Sequence, residues 1–111
     1  KPMPVHTIDI HFLFDDFHGG HLGVNIDQAT GAPRSLNDAE KTLSREMVNA
    51  WVNFAATGNP NEARGNSTWP RFEKGPAGRY LVQNTPMSTK PVSDFRSEYK
   101  CDFFDAQLKY E

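Results

Sequence analysis

Between residues 36 and 57 the apolar side chains return every three or four positions. Ala39, Leu43, Met47, Ala50, Trp51, Phe54 and Ala55 share one face of a helix, because 3.6 residues per turn gathers such spacings into a single stripe. Ser35 or Asn37 is placed to cap the start. Asp38 and Glu40 fall in the first turn, where carboxylates meet the positive end of the helix dipole. Gly58 suits the left-handed residue that ends a helix, and Pro60 forbids continuation. The pattern predicts an amphipathic helix over 36–57.

The flanking stretches are less regular. In residues 5–17, Ile8, Ile10, Phe12 and Phe14 alternate with Thr7, Asp9 and His11, as in a strand. Ile10, Leu13, Phe14 and Phe17 also fall at helical spacing, so strand and helix both stay open. Gly19, Gly20, Gly23, Gly31 and Pro33 make 18–35 a loop, and Pro60, Gly65, Pro70, Gly75, Pro76 and Gly78 do the same for 59–78. Residues 79–84, Arg79-Tyr80-Leu81-Val82-Gln83-Asn84, read as a short strand between Gly78 and Pro86. Phe95, Tyr99, Phe103 and Leu108 among charges predict a terminal helix over 94–108, capped by Ser93 or Asp94. No internal repeat or low-complexity stretch occurs.

Composition narrows the function classes. The chain has 111 residues, with 12 basic against 14 acidic side chains. That allows one small domain and lacks the basic excess of a nucleic-acid surface. No apolar run approaches the ~20 residues needed to span a bilayer. The start, Lys1-Pro2-Met3-Pro4, lacks the apolar core of a signal peptide. Leu, Ile, Val and Phe make 23 of 111 residues, near the level of roughly 20% at which chains fail to fold alone. A net charge of −2 speaks against outright disorder. The expectation is a piece of something larger, or a loop-rich small domain.

Several groupings invite a chemical reading. His6, His11, His18 and His21 lie close in sequence, with Asp9, Asp15 and Asp16 among them. Imidazole and carboxylate together can hold a metal, yet the spacing matches no metal motif on a helix, and ordinary loop histidines are the better account. His18-Gly19-Gly20 looks like the His-Gly-Gly segments whose backbone N–H groups stabilise oxyanions in ester hydrolases. No serine has glycines two positions away on both sides, so no Gly-x-Ser-x-Gly nucleophile elbow is present. Cys101, the single cysteine, has Lys100 beside it but sits on an aromatic helix face. A structural thiol or half of a bridge suits it better than a nucleophile. Asn66-Ser67-Thr68 is an N-glycosylation sequon.

At Ala50-Trp51-Val52-Asn53-Phe54-Ala55-Ala56-Thr57-Gly58-Asn59-Pro60-Asn61, followed by Trp69-Pro70, the sequence resembles the type-B carboxylesterase and cholinesterase family. That family carries Trp-x-x-Phe-Ala-x-(small)-Gly-x-Pro-Asn and then Trp-Pro near its C-terminus. His6-Thr7-Ile8-Asp9-Ile10-His11-Phe12-Leu13-Phe14 is similar to its His-Gly-x-Glu-Leu-Pro-Tyr-Val-Phe, which begins with the catalytic histidine. Tyr99-Lys100-Cys101-Asp102-Phe103-Phe104-Asp105 is similar to its terminal cysteine-bearing helix. Thr7 stands for the usual glycine, His11 for the proline, and Phe104 where tryptophan is common.

The resemblance implies an α/β class chain, the C-terminal part of an α/β-hydrolase fold, with residues 1–111 a C-terminal fragment of a carboxylesterase domain. In that fold the nucleophile comes first in the chain, the acid second and the histidine last. His6 is then the general base. The serine elbow, the acidic partner and the oxyanion glycines lie upstream, which removes His18-Gly19-Gly20 from the oxyanion role. Asp9 is expected to hold the loop beside His6 through backbone hydrogen bonds. No cofactor and no metal are implied. The implied partners are a small-molecule carboxylic ester and the remainder of the parent esterase chain, with no nucleic acid and no membrane span. The face bearing Trp51 and Phe54 would dock on that remainder, so the isolated chain is expected either to self-associate through this face or to be only marginally folded. The alternative reading is a scaffold piece of a non-catalytic cholinesterase-like adhesion protein.

Overall fold

The computed structural model describes residues 7–14, 26–27, 29–61, 69–73, 75 and 77–108. They fall into two compact units, one drawn from Lys1–Thr68 with Gln83–Pro86 and the other from Trp69–Val82 with Met87–Glu111.

The first unit is built on two helices, α1 (Ile10–Leu13) and α2 (Asp38–Thr57). Residues 10–13 are helical rather than extended, because the Asp9 carbonyl collects the N–H groups of Phe12 at 3.0 Å and Leu13 at 3.1 Å. Of the two candidate caps for α2, Asn37 holds the position. Its side chain accepts from the Glu40 N–H at 3.0 Å, and the Glu40 carboxylate accepts from the Asn37 N–H at 2.8 Å. This reciprocal pair satisfies two N–H groups that the helix itself leaves unpaired. At the far end Gly58 is left-handed at φ 76°, and its N–H returns to the Phe54 carbonyl at 2.8 Å. A glycine takes that conformation without a Cβ penalty.

The apolar stripe of α2 is not uniformly covered. Leu43, Met47 and Ala50 are buried at 5%, 4% and 7% exposure, whereas Trp51 stays 54% and Phe54 60% exposed. The cause is length. α1 has 4 residues and α2 has 20, or about 6 Å against about 30 Å of axis. A single turn covers only the middle of the stripe.

In the second unit β1 (Arg79–Val82) pairs antiparallel with β2 (Ser88–Pro91), Arg79 facing Pro91 and Val82 facing Ser88. β2 lies where the sequence pattern showed no element. Ser88-Thr89-Lys90-Pro91 has no apolar alternation, and its pairing comes from the hairpin. Arg79 reinforces the pair by donating to the Thr89 carbonyl at 2.9 Å and its hydroxyl at 3.0 Å. Gly78 is buried, and a Cβ there would lie 2.1 Å from the Glu73 carbonyl oxygen, so no side chain fits.

The expected single terminal helix is two, α3 (Val92–Glu98) and α4 (Cys101–Gln107), and neither Ser93 nor Asp94 caps it. Pro91 occupies the capping position with no side-chain bond, and Lys100 breaks the run in a left-handed conformation at φ 55°. The break permits an ion-pair group. Arg96 bonds Asp102 through Nε at 2.9 Å and Asp105 through Nη2 at 2.7 Å. On an unbroken helix, residues six apart point about 120° away from one another, outside such reach. Tyr80 of β1 meets Phe95 of α3 edge-on, ring centroids 5.6 Å apart, and Phe95 meets Tyr99 at 4.5 Å.

Candidate active site

His6 lies outside the described residues, as do His18, Gly19, Gly20 and His21, Asp15 and Asp16, and the Asn66 sequon. What the structure does describe is the segment that leaves His6. Thr7, joined to it by one peptide bond, is left-handed at φ 70°. A β-branched residue there costs about 1–2 kcal/mol of backbone strain. The chain then turns: the Thr7 carbonyl accepts from the Ile10 N–H at 3.2 Å, and α1 begins.

Asp9 is the residue before α1, and its side chain makes no capping bond. It contributes through its main chain, the carbonyl that holds the N–H groups of Phe12 and Leu13. The Phe14 N–H closes the turn on the Ile10 carbonyl at 2.9 Å.

A residue that sequence reasoning missed ties this segment down. Ser44 of α2 donates its hydroxyl to the Phe12 carbonyl at 2.7 Å, in a part-buried position. The signal available was a small hydroxyl residue next to Leu43 on the inner edge of an apolar stripe. Serines on helix faces are common enough that the pattern alone gives no reason to choose it.

The ionic features stand apart from this segment in sequence. Arg34 grips Glu40 with two arms, each at 2.6 Å. The Arg34 fork, and after it the Asn37 N–H, hold the Glu40 carboxyl below the usual glutamate range, and Glu40 in turn raises Arg34. The N–H groups of Thr30 and Ala29 lower Asp27 likewise. Among the described residues no three His, Cys, Asp or Glu side chains converge as metal ligands. His11 is half-buried in α1, and Cys101 opens α4 as a half-buried free thiol. Among the described residues no helix is long and apolar enough to cross a membrane.

Comparison with known proteins accounts for the sequence as a whole. The model of the carboxylesterase family matches residues 2–104. The chain is 39% identical to cholinesterase of Mus musculus over 101 residues, 90% of this chain and 14% of that protein. It is 33% identical to acetylcholinesterase of Bungarus fasciatus over 88 residues, 73% of this chain and again 14% of the relative. Carboxylesterase 5A of Canis lupus familiaris is 39% identical over 69 residues, 62% of the chain and 11% of that protein. The chain thus spans about a seventh or less of the length of these relatives. No solved structure matches it. Family membership carries the α/β-hydrolase fold with it. Matched from residue 2 to residue 104, with 39% identity to a cholinesterase over 90% of its length, the chain belongs to the carboxylesterase family.

Proposed function

We propose that this chain is the C-terminal part of a serine carboxylic-ester hydrolase and that His6 is its general base. The observation that carries the reading is the position of His6. It stands at the head of the segment similar to the family's histidine motif, inside the matched range of residues 2–104. The nucleophilic serine, the acid that orients the imidazole and the oxyanion N–H groups then precede Lys1 in the parent protein.

In this mechanism the His6 imidazole takes the serine proton as the hydroxyl attacks the ester carbonyl. It returns that proton to the alcohol as the tetrahedral intermediate collapses. The same cycle with water as nucleophile releases the acid. Each transfer uses one nitrogen, while the other donates to the upstream carboxylate that fixes the tautomer. A small-molecule carboxylic ester is the substrate class, and no cofactor takes part.

The test is made in the full-length parent. His6→Ala lowers kcat by about 10⁴-fold or more with binding of a substrate analogue little changed. His18→Ala and His21→Ala each change kcat by less than about tenfold. If His18→Ala is as damaging as His6→Ala, the assignment moves to His18.

A further inference from the structure

The hydroxyl residues of α2 divide by what they donate to. Thr42 returns its proton to the Asp38 carbonyl at 3.0 Å, and Thr57 to the Asn53 carbonyl at 2.9 Å, each one turn back along its own helix. That local bond is the ordinary choice for a hydroxyl inside a helix. Ser44 makes the other choice. Its one proton goes to Phe12, 32 positions away, at 2.7 Å.

The recipient is informative. Phe12 lies in α1, a helix of 4 residues, far too short to persist without outside contacts. Its carbonyl is one of those a helix end leaves without an internal partner. α2, by contrast, is capped at both ends and has Leu43 and Met47, the apolar neighbours of Ser44, buried. The bond therefore runs from a rigid element to one that needs holding. Along the chain, only a single turn of helix and the Thr7–Asp9 turn separate the held carbonyl from His6.

We propose that Ser44 is a positioning residue for the His6 imidazole, acting through the Phe12 carbonyl and α1. The proposal rests on His6 being the general base. Ser44 is proposed as a positioning residue, holding the turn that follows His6 in the chain.

The experiment uses the full-length esterase, an activated acetate ester as substrate, and active sites counted with a stoichiometric phosphonate. Loss of folded protein lowers the number of sites, whereas misplacement of the base lowers turnover per site. Ser44→Ala is expected to cut kcat per site by about tenfold with KM within about twofold, as displacing a proton carrier by a fraction of an ångström does. Ser44→Thr keeps the donor and stays within about twofold of the parent, while Ser44→Val, of the same shape without the donor, falls with alanine. If the alanine variant does not accumulate, the threonine and valine pair decides. A threonine variant no better than valine, or any donor-less variant with parental kcat per site, overturns the proposal. His6→Ala is run in parallel. Inactive His6→Ala beside a fully active Ser44→Ala removes the positioning role alone, and active His6→Ala removes the general-base reading beneath it.

Discussion

Glu40 serves two ends of one local structure. Its carboxylate completes the cap on Asn37 and accepts both arms of Arg34. Because these contacts hold its folded-state acidity below the ordinary value, the stability they add is fully present above the usual glutamate pKa. It is lost as pH falls through the lowered folded value. Glu40→Ala is expected to cost about 1 kcal/mol at neutral pH, most of it from the cap, since a partly exposed ion pair contributes little. Arg34→Ala costs less, and it brings the acid-induced loss of helix to a higher pH. Urea unfolding of the two variants followed by circular dichroism, at neutral pH and again in acid, checks both statements. Equal losses for Glu40→Ala at the two pH values would show that its carboxylate charge contributes nothing.

Coverage along α2 is the matter that decides most at the level of elements. Met47→Ala opens a cavity in the buried part of the stripe and is expected to destabilise by about 2–3 kcal/mol. Trp51→Ala, one turn further on and exposed, changes stability by about 0.5 kcal/mol or less in this chain. Chemical denaturation of the two variants separates them, and equal losses would mean that the whole stripe is packed. α2 was legible in the sequence because periodicity, cap and glycine stop all agreed. α1 stayed ambiguous because a single turn supports either period. The split between α3 and α4 left no periodic trace, since it shows only in a left-handed Lys100 and in the bonds from Arg96 to Asp102 and Asp105. β2 was hidden because its pairing, rather than its own side chains, makes it a strand. At the proposed site, family resemblance alone points to His6, while the Ser44 bond is a contact across 32 positions that no local pattern records.

For the molecule as a whole, the exposed aromatics set behaviour in solution. Trp51 and Phe54 leave roughly 200–300 Å² of apolar surface uncovered on α2, and Phe103 and Phe104 are 60% and 55% exposed on α4. Clustered exposed aromatics of this kind offer surface through which copies of the chain can associate. The isolated chain is therefore expected to self-associate, and Trp51→Ser with Phe54→Ser to weaken it. Sedimentation velocity over a range of concentrations measures this. A strictly monomeric chain that unfolds in one sharp transition would mean that the 111 residues are self-sufficient. One bond in the second unit also bears on how it comes apart. The Val92 N–H, first in α3, donates to the Gly78 carbonyl at 2.8 Å, just beyond the paired ends of the hairpin. Strand ladder and helix start thus share a single proton, and neither can fray at that corner without releasing it from the other. Hairpin and helix are latched together there, and the latch is a main-chain group that, among substitutions at position 92, only proline removes.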